Sequence, residues 1–293
     1  MHIREQREKH PQRRAVPAGF ADSTWSALAA PHDHEVDLFD PASLHDLPAP
    51  AQRLLSRALP ANVALSPLVR LDMDGEIKLG GRWFGFTAQQ ILRAGIGFVW
   101  APVVGGRILR FTGADALGLD GAQIEFKLHG LIPVMRASGT DVHRSAQGRL
   151  AAETVAWLPQ ALTPQAGARW VGIDDERAVV TISAAGTDVD VQVAIDDDGQ
   201  IRWIGLDRWN SAAKPPAFAS FGGSVNSTHT APNGVCIAGR GAVGWDWHTP
   251  AEADGVFFHY SVTAADFSPT VDSGATTRAA ASLGSSRSVS FSV

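Results

Sequence analysis

The chain has 293 residues, 45% of them hydrophobic and 19% charged, with a formal net charge of −5 and a pI near 6.0. This composition can bury a substantial core in one large domain or two small ones, and basic residues cluster only between positions 4 and 14, which argues against nucleic acid as a partner. A single cysteine, Cys236, rules out an internal disulfide, and no Cys/His ladder supplies a zinc ribbon.

No apolar segment follows the basic N-terminus, and the longest apolar run, 94–104, is broken by Gly95, Gly97 and Pro102 and is too short to span a bilayer. The expectation is a soluble, cytoplasmic protein with no transmembrane segment and no cofactor. Residues 1–43 read as a disordered extension, since Phe20, Trp25, Leu28 and Phe39 are its only apolar anchors. His32, Asp33, His34 and Glu35 have the right side chains for a metal, but such a stretch lacks pre-positioning and supporting partners.

Order is expected from residue 44. Pro48 and Pro50 mark a helix start, Leu47, Leu54, Leu55, Ala58 and Leu59 form its apolar stripe, and Pro60 ends it. From Ser66 the period becomes two, with a hairpin turn expected at Asp74-Gly75 and another turn at Gly80-Gly81. Thr87 reads as the cap of a short helix over 88–93, followed by the aromatic strand Phe98-Val99-Trp100. Strands are expected at 107–112, 123–128 and 131–136, with 113–121 a loop rich in Gly and Asp.

Residues 148–162, GRLAAETVAWLPQAL, read as the central mid-chain helix, ended by Pro159. Leu150, Glu153, Thr154, Trp157 and Ala161 share one face, so Glu153 points where a carboxylate needs a partner. Either it pairs with an arginine such as Arg149 or Arg136, or it is a polar anchor inside a pocket. Four strands follow at 169–173, 178–183, 189–195 and 200–206, the third alternating Val189, Val191, Val193 and Ile195 against Asp190 and Gln192. Residues 211–230 read as a loop, 234–240, 243–247 and 256–262 as three last strands, and 268–293 as a disordered tail. One domain over 44–267 remains.

Gly239-Arg240-Gly241-Ala242-Val243-Gly244 matches G-x-G-x-x-G, but no βαβ unit surrounds it, and it is rejected as a nucleotide site. No P-loop, H-E-x-x-H or G-x-S-x-G is present. The histidines of the ordered region have no metal-ligand spacing.

The motifs Leu47-Pro48-Ala49-Pro50, Trp83-x-x-Phe86-x-Ala88-x-Gln90, Gly97-Phe98-Val99-Trp100 and Gly148-Arg149-Leu150-Ala151-Ala152-Glu153, leading into Trp157-Leu158-Pro159, give the chain a resemblance over residues 44–209 to an uncharacterised bacterial domain-of-unknown-function family. The resemblance implies a curved antiparallel sheet closed on one side by helices, a pattern similar to lipoprotein-carrier half barrels, and it supplies no catalytic residues.

The expected fold is therefore α+β: a strongly curved, half-barrel-like antiparallel meander of roughly ten strands, packed on the mid-chain helix, with an N-terminal helix. The expected function is non-enzymatic binding of a lipid or other hydrophobic small molecule in a cavity between sheet and helix. Trp83, Phe86, Phe98, Trp100 and Trp157 would be the lining, and Gln90, Arg149 and Glu153 the polar groups. The alternatives are an enzyme with Glu153 as general base, its pKa raised by burial, or an interaction module with a filled core.

Overall fold

The computed structural model describes residues 19–31 and 37–267. Among these residues, thirteen strands form one open antiparallel sheet. The first meander comprises β1 (Leu68–Leu79), β2 (Arg82–Arg93), β3 (Gly97–Gly105), β4 (Arg110–Gly118), β5 (Gly121–Leu128) and β6 (Ile132–Ser138). The second comprises β7 (Arg169–Gly172), β8 (Arg177–Ala184), β9 (Thr187–Ile195), β10 (Ile201–Asn210), β11 (Ala217–Thr230), β12 (Cys236–Trp245) and β13 (Val256–Asp266). They join where β1 pairs with β13, so the edges are β6 and β7. The helix α3 (Thr140–Trp157) links those two edges in sequence and crosses the inner face of the sheet between them.

The sheet is apolar on both faces. On β2, Phe86, Ala88 and Leu92 enter the large core with α3 and α2 (Ala49–Ala58), while Ile91 faces the other way, toward Leu68, Val99, Ala114 and Ala116. Helix α1 (Phe20–Ala29) covers this outer cluster with Phe20, Trp25 and Leu28. These residues were expected in a disordered extension; their few apolar side chains share one helical face, and burying that face supplies the order. Gly118 lets α1 approach, because a Cβ there would stand 2.8 Å from Thr24 Cγ2. The histidine and acid stretch 32–35 and the tail 268–293 lie outside the described residues.

Several elements differ from expectation for one reason: pairing overrides local signals. β1 runs straight through Asp74-Gly75 and reverses at Gly80-Gly81. Gly75 serves close approach, since a Cβ there would fall 2.0 Å from His259 O on β13. Residues 88–93 are strand, because with both faces buried the period-two signal vanishes. β4 continues through Gly113, where a Cβ would meet Glu125 O at 2.0 Å. The expected loop 211–230 is largely β11, and the rejected glycine motif lies within β12, where Gly241 packs beneath Tyr260. α3 begins at Thr140, eight residues before Gly148, which sits in its interior against Arg208.

Candidate functional site

Seven of the eight residues expected at a site are on the inner face of the sheet or on α3, and they pack together. Gln90 Nε2 donates to Glu153 Oε2 at 2.7 Å, Arg149 Nε donates to Glu153 Oε1 at 2.7 Å, and Arg149 Nη1 donates to Asp115 Oδ2 at 2.6 Å. The guanidinium carbon stands 4.5 Å from the Phe98 ring and 5.5 Å from Trp100. Phe86 packs edge-on to Trp100 at 5.6 Å and stacks on Phe258 at 5.0 Å. Trp157 donates its indole N–H to Ala238 O at 3.1 Å and meets Tyr260 edge-on at 5.4 Å. Glu153 thus makes the ion pair with Arg149 that its helical face required, and both of its oxygens are engaged.

Trp83 is the exception. It is 38% exposed and stacks on His259 at 4.5 Å, whereas the neighbouring Phe258 and Tyr260 face inward. The physical reason is parity: Trp83 and Phe86 are three residues apart on one strand and must point to opposite faces.

Burial pushes the Glu153 carboxyl up, beyond what Arg149 and the Gln90 amide pull down. Burial alone would lower Arg149, but Glu153 and Asp115 together hold it above its usual value. Arg208, across α3, is drawn down to about 10 by burial and then by the charge of Arg149. Two buried polar atoms in this region, Gln90 Oε1 and Trp100 Nε1, have no partner among the described residues.

A second polar and aromatic region lies where the sheet splits. β10 pairs with β9 only from Ile201↔Ile195 to Gly205↔Gln192, yet follows β11 from Trp203↔Ser224 to Asn210↔Ala217. Beyond Gly205 it leaves β9, whose first half stays paired with β8. The N-terminal half of α3 fills the base of this opening. Gln147 Nε2 donates to Ala185 O at 3.1 Å and Thr187 Oγ1 at 2.8 Å on one bank. On the other, Arg208 Nε donates to Ser145 O at 3.0 Å and Trp209 Nε1 to Asp141 Oδ1 at 2.9 Å.

The recess above has a volume of about 950 Å³ and is walled by Trp203, Trp209, Phe218 and Trp247. The Arg144 guanidinium lies over both Trp209, at 4.2 Å, and Phe218, at 4.7 Å. Trp247 lies on a glycine floor: a Cβ at Gly222 would fall 2.5 Å from its ring, and one at the paired Gly205 would fall 3.1 Å from it. Ser220 Oγ donates to Trp247 O at 2.7 Å, and the flanking Asp246 and His248 both adopt φ of 57°, a left-handed conformation that non-glycine residues rarely hold. The buried indole N–H of Trp247 has no partner among the described residues. Sequence reading missed this site because its walls come from strands joined only by the split; the one available signal was the tryptophan density at 203, 209, 245 and 247.

No helix among the described residues is long and apolar enough to cross a membrane. No curated protein matches the chain. Among solved structures, it is similar to a domain named as a candidate outer membrane lipoprotein-sorting protein from Vibrio parahaemolyticus, with 10% identity, a TM-score of 0.40, and coverage of 76% of this chain and 93% of that one. A LolA superfamily protein from Nitrosomonas europaea shows 7% identity, a TM-score of 0.40, and coverage of 76% and 94%. A DUF1329 family protein from Desulfovibrio piger shows 12% identity, a TM-score of 0.37, and coverage of 80% and 95%. Residues 37–255 match the model of a family of unknown function, DUF6544, and the chain belongs to that family.

Proposed function

We propose that the chain binds a small amphipathic molecule, with a hydrophobic body and a polar group, in the cleft between α3 and the diverging strands β9 and β10. The observation that carries this reading is the recess of about 950 Å³ walled by four large aromatic side chains. Its size falls within the ~300–1,000 Å³ of small-molecule sites, which are mostly apolar with a few placed polar groups. The Arg144 guanidinium over Trp209 and Phe218 is a polar group of that kind, and Asp188, Asp190 and Asp207 also line the recess. The inner-face set of Phe86, Gln90, Phe98, Trp100, Arg149, Glu153 and Trp157 supports the site from behind by fixing α3 to the sheet.

The test is a fluorescence titration with an apolar probe, read beside native mass spectrometry of the gently purified protein. Replacing Trp209 and Phe218 together by Ala is expected to weaken probe binding at least tenfold, roughly the loss of one ~1.4 kcal/mol contact. If the parent carries no small molecule and binds no apolar probe, the reading fails. If Trp100→Ala abolishes binding in a folded protein while the cleft variant does not, the ligand sits on the inner face instead.

A further inference from the structure

We infer that the end of the sheet carrying the β1–β2, β3–β4 and β5–β6 turns docks on an anionic membrane surface. Antiparallel pairing in sequence order puts these three turns at the same end of the first meander. Among the described residues, six of the thirteen exposed large hydrophobic side chains are there: Leu79, Trp83, Ile108, Leu109, Leu131 and Ile132. Ile108 is 93% exposed and Leu131 82%, so both turns present apolar side chains to solvent.

The tips act together. His129 N donates to Arg110 O at 2.7 Å, and the His129 ring nitrogen Nε2 stands 3.2 Å from Ile108 O, joining the second and third turns. Phe84 meets Phe111 edge-on at 6.4 Å, joining the first to the second.

Charge identifies the partner. Residues 77–83, 105–112 and 126–133 hold Lys78, Arg82, Arg107, Arg110 and Lys127 and no Asp or Glu, in a chain whose net charge is −5. Glu76 and Glu125 flank them, and the β12–β13 connection with Asp246, Glu252 and Asp254 lies at the same end beyond β1. Lys127 is held by Glu125 at 3.0 Å, while Arg82, Arg107 and Arg110 are exposed. Exposed apolar side chains beside exposed arginines on the same turns match a bilayer interface, where the former enter the acyl boundary and the latter meet phosphate. Two copies of this end would confront like charges, which disfavours self-association.

The inference stands apart from the cleft ligand, and its test uses the full chain without one. Cosedimentation is measured with vesicles of phosphatidylcholine alone and of phosphatidylcholine mixed with phosphatidylglycerol, at low and high salt. Binding is expected to the mixed vesicles and to weaken with salt. Arg107→Ser and Arg110→Ser should each weaken it about fivefold, the effect of one charge near an anionic surface. The Ile108→Asp/Leu131→Asp variant, altered only at exposed tips, should lose it while keeping the parent's urea midpoint. Absence of binding by the parent overturns the inference, as does equal binding by the tip variants or equal, salt-insensitive binding to neutral vesicles. A concentration-dependent dimer abolished by Ile108→Asp would assign the tips to a second copy and overturn it as well.

Discussion

Arg149 Nε stands 2.7 Å from Glu153 Oε1, one turn further along α3, while Nη1 of the same guanidinium reaches Asp115 Oδ2 on β4 at 2.6 Å. One side chain therefore ties the central helix to the first meander and is shared between two carboxylates inside the core. Its side chain is 16% exposed and those of its partners 17% and 13%, so solvent screens the pairs weakly.

Arg149→Met should accordingly cost about 3–5 kcal/mol at neutral pH, because it strands Asp115 and Glu153 as buried anions. Part of this loss should return on acidification, as the stranded Glu153 takes up a proton. Urea unfolding of parent and variant at pH 7.5 and pH 5 checks both statements; a loss independent of pH would mean that lost packing, rather than charge, is responsible.

The parent carries its own pH dependence from the same carboxyl. Burial raises the folded-state pKa of Glu153 above its ordinary value of 4.5, so the folded protein binds the proton more tightly than the unfolded chain. The stability this contributes is complete below pH 4.5 and is lost as pH rises through the folded pKa. Relative to Glu153→Gln, which cannot titrate, the parent should therefore lose stability with rising pH above that value. Parallel unfolding curves of the two proteins across this range would disprove it.

The α3 partnership was readable because it is local: Glu153 shares a helical face with Leu150 and Trp157, and Arg149 is four residues away. Parity placed Phe98 and Trp100 on one face of β3, and the same rule applied to β2 would have set Trp83 apart from Phe86. What stayed hidden depends on pairing. Asp74-Gly75 has the composition of a turn, yet its glycine answers His259 O, more than 180 residues away in sequence. The cleft exists because β10 changes partner after Gly205, and no local pattern marks that change. Arg82 is distant in sequence from Arg107 and Arg110, and only the strand order brings their turns to one end of the sheet.

Trp157→Ala tests whether the C-terminal end of α3 is a plug. The indole is buried, hydrogen-bonded to Ala238 O and packed on Tyr260, so truncation removes burial and leaves a void. The expected cost is about 3–5 kcal/mol, with little direct effect on probe binding in the cleft, which Trp157 does not line. Equilibrium unfolding in urea measures it; a loss below ~1 kcal/mol would show that the helix end relaxes to fill the space.

Trp247 and Gly205 offer the sharpest examination of the cleft. A Cβ added at Gly205 would stand 3.1 Å from Trp247 Cδ1, 3.3 Å from its Nε1 and 3.5 Å from Trp203 Cζ3, so side chains alone oppose it. Gly205→Ala should therefore cost on the order of 1 kcal/mol through overpacking and shift the tryptophan emission as the Trp247 ring is lifted. In a Trp247→Ala background the nearest obstacle is gone, and the same substitution should be close to neutral. The double-mutant cycle isolates that coupling, because the two residues are in direct contact. Equal costs in both backgrounds would mean that Trp247 does not rest on the glycine floor, and the preformed aromatic wall of the cleft would have to be abandoned.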